Sequence, residues 1–262
     1  MKKSSQKILF ICKMDISVVI ITRNEANIIG NTLQSLNGLT NDIVIVDSGS
    51  TDDTLNVCKQ YNATIIETDW KGYGLNKNMG INNASHNWIL NLDADEAIDE
   101  ELKQSILKLS LINENEVFEM WFKNFFMGKW IRHGEWGKDK HVRFFNRNKV
   151  KWNEGSVHEK LIFNKETIRT LLKGHIQHYT VHSLEEYEQK TIVYAKLSAQ
   201  KFFNNGKKLS FIKQYLSPVF SFVQNYFYKL GFLDGKEGFL IARTTAKYTF
   251  MKYAFLGKLS KT

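Results

Sequence analysis

Apolar runs and helix-like stretches alternate over the first hundred residues. The β-branched run ISVVIIT (16–22) predicts a buried strand, and Ile28, Ile29, Leu33 and Leu36 follow it at helical spacing. The same order repeats along the chain, where further strands are predicted at 43–46, 63–68 and 88–92. Strands that alternate with helices in this way predict βαβ units and a mainly parallel, Rossmann-like α/β sheet flanked by helices.

Polar clusters follow three of these strands. They lie at 22–25, 47–54 and 93–96, each immediately after an apolar run. Ligands of open α/β sheets bind at the carboxyl ends of the strands. The sequence therefore predicts a binding site along this edge of the sheet.

The third cluster, in WILNLDADEAIDEEL (88–102), contains two acids one residue apart. In an extended segment Asp93 and Asp95 would point to the same side, where their like charges would repel. A divalent cation such as Mg²⁺ or Mn²⁺, shared with substrate phosphates, would relieve that repulsion. The alternative is that these acids only favour the start of the following helix through its dipole.

The second cluster, in VDSGSTDDT (46–54), joins a strand to a helix. Its Ser/Gly/Thr residues offer backbone donors, and Asp47 could accept a hydrogen bond from a base or a ribose. An ordinary helix N-cap by Ser50 or Thr51 is the alternative. Neither G-x-G-x-x-G nor a P-loop motif occurs, so a different nucleotide pocket is required.

The second half of the chain changes character. Aromatic-rich segments over 117–163 predict additional strands, some antiparallel, that close one side of the site. Helices follow, beginning at a capping box formed by Ser183 and Glu186. The apolar stripe over 211–230, interrupted by Pro218, predicts an amphipathic helix or a kinked pair. Such a helix could lie in a membrane interface, pack on the catalytic core, or do both.

Composition adds a basic C-terminal region to this picture. The 262 residues are 43% hydrophobic, which suffices for a packed core, and carry a formal net charge of +9. Residues 201–262 hold 11 basic side chains against only Asp234 and Glu237, so they carry the whole excess. An anionic partner, either membrane or nucleic acid, is one interpretation, and a solvated lysine-rich surface is the other.

Other features of the composition narrow the class of protein. Two cysteines, Cys12 and Cys58, without metal-like spacing argue against a disulfide scaffold or a structural metal site. No apolar stretch approaches the length of a membrane-spanning helix. The expected organisation is an N-terminal appendage (1–14), an α/β catalytic domain (15–182) and a C-terminal helical extension (183–262).

The segments SVVIITRNEA, VDSGSTDDT and GYGLNKNMGINNASHNWILNLDADE, in this order, resemble the family 2 glycosyltransferases, which have the GT-A fold. The resemblance covers about residues 16–163. It implies that Asp93 and Asp95 match the family's D-x-D motif and bind the metal, diphosphate and ribose of a nucleotide sugar. Together with polar residues of the loops after the strands, the resemblance gives a predicted nucleotide-sugar-binding set. Its members are Thr22, Asn24, Glu25, Asp47, Ser50, Lys77, Asp93 and Arg143. The metal ligands expected are Asp93 and Asp95, with His158 as a candidate third.

A later segment, GEWGKDKHVRFFNRNKVKWNEGSVHEKL, resembles bacterial members that add glucose or a related sugar to the lipopolysaccharide inner core. This resemblance implies a UDP-sugar donor and a lipid-linked saccharide acceptor. It also implies a cytoplasmic enzyme, peripheral on the inner face of the plasma membrane through its C-terminal region. Other cell-surface glycans or lipids are alternative acceptors.

The resemblance to this family also implies that the reaction inverts the anomeric centre, which requires a carboxylate that takes the proton of the acceptor hydroxyl. Asp139 lies where the subgroup places an acid before an R-[LF]-F strand, and we favour it over Glu159, with Glu135 as a third candidate. The tryptophans at 130, 136 and 152 could stack on sugar rings or simply pack in the core.

Two other functions compete with the transferase. A sugar nucleotidyltransferase would carry a glycine-rich basic loop after the first strand, where this chain has TRNEA. A nucleic-acid-binding protein would use the basic tail, but the aromatic, apolar face predicted there suits a lipid interface better. We therefore expect no nucleic-acid partner.

Overall fold

The computed structural model describes residues 15–154 and 159–260. The chain divides into two compact units. Unit 1 comprises Met1–Met120 and Val142–Gly174, and unit 2 comprises Trp121–His141 and His175–Thr262. The boundaries fall inside three long strands, so each of these strands contributes residues to both units.

The secondary structure follows the predicted alternation. The strands are β1 (Ile16–Thr22), β2 (Asp42–Asp47), β3 (Thr64–Glu67), β4 (Trp88–Asp93), β5 (Glu96–Ile98), β6 (Glu116–Phe126), β7 (Lys129–Trp130), β8 (Asp139–Asn146), β9 (Lys151–Trp152), β10 (Leu161–Ile162) and β11 (Ile168–Val181). The α-helices are α1 (Ile29–Ser35), α2 (Thr54–Gln60), α3 (Tyr73–Asn83), α4 (Glu100–Leu107), α5 (Leu184–Asn204), α6 (Phe211–Val223) and α7 (Gly235–Leu259). Short 3₁₀ turns occupy Gly134–Trp136 and Gly231–Asp234, and a π-helical turn occupies Gln224–Tyr228.

Unit 1 is built on a mixed sheet with the strand order β3-β2-β1-β4-β8-β6-β11-β5. Its first four strands are parallel, as predicted, and β8 pairs with β4 in the antiparallel sense. Thr22 is in register with Asp47, and Ile21 with Asp93. The carboxyl ends of β1, β2 and β4 therefore meet at one edge, which brings together the polar clusters noted in the sequence.

The centre of this sheet is completely covered. Every residue of β1 is buried, which explains its continuous apolar run rather than an alternating pattern. Helix α3 approaches the sheet closely at Gly80, where an added Cβ would lie 2.4 Å from Val19 and 2.9 Å from Val46. Only glycine allows this helix to pack so near β1 and β2.

Two strands were not predicted from the sequence. β5 has only three residues, and β11 alternates buried Leu172, Gly174 and Ile176 with the polar Lys173 and His175. The glycine weakens the apolar signal of β11, yet it is required there. Its φ is +94° and a Cβ would lie 2.1 Å from the backbone nitrogen of Leu102.

Unit 2 contains β7, which pairs with β6, and the C-terminal helices. Ser183 caps α5 as predicted by accepting from Glu186 N, although the carboxylate of Glu186 accepts from His182 N rather than from Ser183 N. Helices α5 and α6 both pack on α7. α6 continues through Pro218 as one helix over Phe211–Val223. Within residues 15–154 and 159–260, no helix is long and apolar enough to cross a bilayer.

Candidate active site

The two acids of the D-x-D motif lie in different local structures. Asp93 is the last residue of β4, whereas Asp95 is in the turn between β4 and β5. The expectation that both carboxylates follow one extended strand was therefore wrong, because the chain turns immediately after Asp93. Both side chains are partly buried at the carboxyl edge of the sheet.

A buried lysine from α3 contacts the first of these acids. Lys77 Nζ lies 3.1 Å from Asp93 Oδ1 and 3.4 Å from Glu159 Oε1, and it sits 4.6 Å from the centre of the Trp152 ring. The lysine side chain is 1% exposed. Burial of an ammonium group is costly unless it is paired, and here two carboxylates and an aromatic face compensate it.

A second cation, Arg143 on β8, reaches the same aspartate. Its NH2 group lies 3.4 Å from Asp93 Oδ2 and also donates to the carboxylate of Glu96, which is 1% exposed. Burial alone would lower the pKa of Arg143, but the negative charges of Glu96, Asp93 and Glu159 outweigh burial and raise it. Arg143 therefore stays charged in its buried position.

Glu96 was missed by the sequence analysis. Besides Arg143, it accepts a hydrogen bond of 3.1 Å from the backbone nitrogen of Asp93, three residues earlier. It thus fixes both the backbone and the cationic neighbour of Asp93. The spacing resembles a capping box, in which a Glu accepts from the backbone N–H three residues earlier, but the sequence carries no signal for the contact with Arg143.

Replacing Glu96 by glutamine should both destabilise unit 1 and weaken the site. The buried guanidinium of Arg143 would lose its closest partner, so we expect the free energy of unfolding to fall by about 3–5 kcal/mol. Activity should fall about 10–100-fold, as when an outer-shell partner of a binding group is lost. Denaturant unfolding and steady-state rates measure the two effects. The exposed Glu101→Gln is the matched control, and a Glu96→Gln protein as stable as this control would contradict the assignment.

The contacts of Asp93 bear on the case for a metal. Lys77 and Arg143 offset part of the charge of Asp93, but they are shared with Glu159 and Glu96, so the group that includes Asp95 keeps a net negative charge that a divalent ion would neutralise. Within residues 15–154 and 159–260, no group of three His, Cys, Asp or Glu side chains is gathered as a metal site. His158, the candidate third ligand, lies outside the described residues. The donors do fit an ion of the Mg²⁺ type, which takes one or two carboxylates and completes its shell with substrate phosphates and water.

The predicted nucleotide pocket is formed by the loops after β1 and β2. The backbone nitrogen of Asn24 donates to Ser50 Oγ at 2.8 Å, and that of Glu25 donates to Thr54 Oγ1 at 2.8 Å. The Asn24 side chain accepts from Thr51 N at 2.7 Å, with its backbone in the left-handed region at φ +56°. The two loops therefore hold each other in place.

Two buried polar side chains at this edge have different roles. Asp47 is 1% exposed and accepts from the backbone nitrogens of Gly49 and Ser50, at 3.0 and 2.8 Å, and from the Ser50 hydroxyl. It shapes the loop, and its contact with a base stays a prediction. The buried Thr22 hydroxyl has no hydrogen-bond partner among the described residues, which leaves it available to a ligand.

Asn76 on α3 is a further residue that the sequence analysis missed. It is fully buried, donates to Ser48 Oγ at 2.8 Å and accepts from Lys71 N at 3.1 Å. One turn of helix thus ties α3 to the loop after β2 while presenting Lys77 to Asp93. The position of Lys77 is consequently coupled to the shape of the predicted nucleotide pocket.

The candidate base Asp139 lies in unit 2, at the start of β8. His141 Nε2 is 2.7 Å from its Oδ1, and Asn124 Nδ2 is 3.4 Å from its Oδ2. Asn124 is itself held by the carbonyl of Trp136 at 3.0 Å and by His178 Nδ1 at 2.8 Å. Burial would raise the pKa of Asp139, but the hydrogen bond and charge of His141, with Asn124 and His178, lower it below its usual range. Asp139 is therefore an oriented, ionised carboxylate.

The other acidic candidates have structural partners. Glu135 accepts from Thr245 Oγ1 at 2.6 Å and from Asn225 Nδ2 at 3.4 Å, contacts that join it to the C-terminal helices of unit 2. Glu159 lies in unit 1 and is partnered by Lys77. Proton transfer requires a base that neighbouring groups orient and that the acceptor can reach. Asp139 is oriented by His141 and is 31% exposed, so we favour it over Glu135 and Glu159. The choice between Asp139 and Glu159 stays a prediction.

The three tryptophans have protein neighbours. The Trp130 ring lies 4.4 Å from the guanidinium carbon of Arg132, and the Trp136 ring packs with those of Phe126 and Tyr187. Trp152 is buried beneath Lys77. Packing and cation–π contacts account for these rings, and sugar stacking stays untested.

A mainly parallel sheet flanked by helices, with an acidic turn at the carboxyl end of its fourth strand, is the GT-A architecture of glycosyltransferases. Residues 17–171, more than half of the chain, match the model of glycosyl transferase family 2. The chain belongs to this family and is a glycosyltransferase. The predicted fold class and family are confirmed, and the match decides against the nucleotidyltransferase and the nucleic-acid-binding scaffold as the primary function.

Curated relatives include glycosyltransferases that align with nearly the whole chain. An uncharacterized glycosyltransferase of Rickettsia prowazekii (strain Madrid E) is 28% identical over 94% of this chain and 87% of its own length. The lipopolysaccharide core biosynthesis glycosyltransferase LpsC of Rhizobium meliloti (strain 1021) is 27% identical over 92% of both chains.

Solved structures with similar folds include two transferases. TarS residues 1–349 from S. aureus are 16% identical with a TM-score of 0.43, over 95% of this chain and 91% of that one. Glucosyl-3-phosphoglycerate synthase from Mycobacterium tuberculosis, in complex with Mn²⁺, UDP and glucosyl-3-phosphoglycerate, is 24% identical with a TM-score of 0.32, over 43% of this chain and 44% of that one. Likenesses at this level carry no functional weight.

Proposed function

We propose that this glycosyltransferase transfers a hexose, glucose by preference, from a UDP-sugar to a lipid-linked glycan such as the lipopolysaccharide core. The reaction inverts the anomeric centre, depends on Mg²⁺ or Mn²⁺, and takes place at the inner face of the plasma membrane. The observation that carries the proposal is the grouping of Lys77, Asp93, Arg143 and Glu159 in unit 1, beside the acidic turn.

Donor binding is the best-supported part of the proposal. A nucleoside diphosphate carries negative charge that two buried, permanently oriented cations can attract, and Lys77 and Arg143 provide them. The interlocked loops at Asn24 and Ser50, with the unpaired hydroxyl of Thr22, offer donors and acceptors for the base and ribose. Asp47 and Glu25 complete the proposed set.

A divalent ion held by Asp95, together with Asp93 and the diphosphate, would neutralise charge on the leaving group. The chain's own residues supply the remaining steps. The Asp139 carboxylate accepts the proton of the acceptor hydroxyl while the acceptor oxygen bonds to C1 of the sugar. The bond between C1 and the diphosphate oxygen breaks, and its electron pair leaves with UDP, whose charge Lys77 and Arg143 stabilise.

The acceptor class rests on a relative and on charge. LpsC, named for lipopolysaccharide core biosynthesis, aligns with this chain over 92% of both lengths. The basic excess over residues 201–262 favours a partner at an anionic surface. We keep the division into an N-terminal appendage (1–14), a catalytic domain (15–182) and a helical region (183–262) as part of the proposal. Another cell-surface glycan or lipid is the alternative acceptor.

A donor screen tests the proposal. The purified chain is incubated with UDP-, GDP- and ADP-linked sugars, with Mn²⁺, with Mg²⁺ and with EDTA, while release of nucleoside diphosphate is followed. We expect EDTA-sensitive release from UDP-glucose, slow without acceptor and faster when lipopolysaccharide core lacking its outer sugars is added.

The outcomes separate the parts of the proposal. Release from a GDP- or ADP-sugar alone would overturn the donor assignment, and release that EDTA leaves unchanged would overturn the metal. UDP release without any acceleration by the core acceptor would favour a different glycan. Failure to release any nucleotide or to bind it with metal present would contradict the donor site itself.

A further inference from the structure

Helix α6 in unit 2 presents its apolar side to solvent. Its outward side chains include Phe211, which is 72% exposed, and Phe220, which is 68% exposed. The exposed large apolar residues on this helix are Phe211, Ile212, Tyr215, Leu216, Val219, Phe220 and Val223. At 100° per residue these positions share one half of the helix surface. The feature is therefore a continuous apolar face and not scattered single residues.

The opposite side of α6 packs on α7 and is more polar. The half-buried positions there include Gln214, Ser217 and Ser221, with Pro218 and Phe222. A surface helix normally buries its apolar stripe and exposes its polar one. α6 does the reverse. Exposed apolar surface of this extent marks an interaction site.

The exposed apolar surface continues beyond the helix. The turn that follows α6 exposes Phe227 and Tyr228, and the next segment exposes Leu230, Phe232 and Leu233. The half-buried rings of Phe222 and Tyr226 contact the ring of Phe239 on α7. Aromatic contacts thus join α6 and the turn after it to α7.

Charge identifies the partner. From 201 to 233 the chain has five lysines and no acidic residue. These lysines, all exposed, are Lys201, Lys207, Lys208, Lys213 and Lys229. The two acids beyond them are engaged within unit 2, because Asp234 accepts from the backbone nitrogens of Arg132 and His133, and Glu237 pairs with Lys129. The part of the chain that contains the apolar face therefore carries only positive charge.

We propose that residues 211–233 form a docking surface for an anionic lipid bilayer, with α6 lying in the plane of the interface. Aromatic and aliphatic side chains enter the boundary between headgroups and acyl chains, while the lysines contact anionic headgroups. A second copy of the chain would bring the same lysines together, and their repulsion disfavours that partner. The inference rests on the proposed membrane-side function and deepens it by naming the surface.

Vesicle binding of the full chain tests the surface without donor or acceptor, so its result is independent of the transferase reaction. We expect binding to vesicles of phosphatidylcholine with about 30% phosphatidylglycerol to be at least about tenfold tighter than to phosphatidylcholine alone. Leu216→Glu with Phe220→Glu should lower that binding about tenfold or more, because two charges would enter the apolar layer. Lys208→Glu with Lys213→Glu should weaken binding to the anionic vesicles selectively.

The control is Ile112→Glu, which places one such charge on an 86% exposed apolar residue of unit 1 and should leave vesicle binding close to wild type. Thermal unfolding midpoints within a few degrees of wild type show that each variant is folded. Equal binding to neutral and anionic vesicles would overturn the proposal, as would unchanged binding of the Leu216/Phe220 variant. A stable dimer by light scattering that this variant abolishes would assign the face to a second copy instead.

Discussion

Replacing Asp139 by asparagine is expected to lower kcat by about 10²–10⁴-fold while KM for the donor changes little. The amide cannot accept the proton of the acceptor hydroxyl, but it retains the shape and the contact with Asn124. Steady-state rates with saturating donor and acceptor measure the effect. Because Asp139 contributes nothing to donor binding in this proposal, donor affinity measured by titration should stay close to wild type.

Glu159→Gln is the comparison that decides between the two carboxylates. The Glu159→Gln variant should bind the donor more weakly and keep most of its kcat. Glu159 contacts the buried Lys77 of the proposed donor site, and in this proposal it does not accept the acceptor's proton. A kcat loss for Glu159→Gln that exceeds the loss for Asp139→Asn would reverse the assignment of the base.

The pH profile supplies independent evidence on Asp139. Contacts with His141, Asn124 and His178 lower the pKa of Asp139, so the base should remain ionised, and activity should persist, into the acidic range. The substitution His141→Ala removes the hydrogen bond and the charge that lower the pKa of Asp139 most. Burial, which raises that pKa, then has less to oppose it, so the pKa should rise. The acid limb of kcat/KM should therefore move to higher pH. An unmoved limb, with Asp139→Asn nevertheless inactive, would indicate that another group sets it.

Asp95→Ala is expected to reduce activity by at least about a hundredfold with little loss of stability. Asp95 occupies a turn at the edge of the sheet, so its removal should leave the buried contacts of Asp93 intact. The stabilisation of the protein against heat by Mn²⁺ with UDP should also be lost, and this readout does not require turnover.

The exposed Glu101→Ala, close by in sequence on α4, is the matched control and should behave as wild type in both measurements. Asp93→Ala should differ from Asp95→Ala by unfolding more easily, because Lys77 and Arg143 would each lose a partner. Wild-type turnover by Asp95→Ala would exclude Asp95 from the metal site.

Three strands of the parallel half of the sheet, β1, β2 and β4, could be predicted from the sequence because they are buried on both faces. The runs that became β1, β2 and β4 are continuous and apolar, and helical spacing between them is clear. β11 escaped prediction because its buried positions include Gly174, and the positions that alternate with them include an exposed lysine and a half-buried histidine. Glycine is needed at position 174 because the backbone of Leu102 lies too close for a side chain. The pattern of apolar and polar residues carries no information about such a backbone contact.

The residue types of the site could be predicted, but its internal connections could not. The motif drew attention to Asp93, yet the pairing of Asp93 with Lys77 and Arg143 joins α3, β4 and β8, which are far apart in the sequence. Glu96 looked like one more acid in an acidic run, because only the fold reveals that it is buried against an arginine. The sequence offered a metal as the partner of Asp93, whereas the structure shows two cationic side chains from elsewhere in the chain beside it.

The close approach of α3 to the sheet has a consequence for how mutations in this protein would be interpreted. Gly80 lies one turn after Lys77, and any larger residue there would push the helix away from Val19 and Val46. The ammonium group of Lys77 would shift with the helix, away from Asp93. A random-mutagenesis screen should therefore recover inactive variants at a glycine that touches no ligand. A map of the positions at which substitutions abolish activity would therefore include residues such as Gly80 that only hold α3 in place. Such a map would make the catalytic centre look larger than the set of residues that touch the substrates.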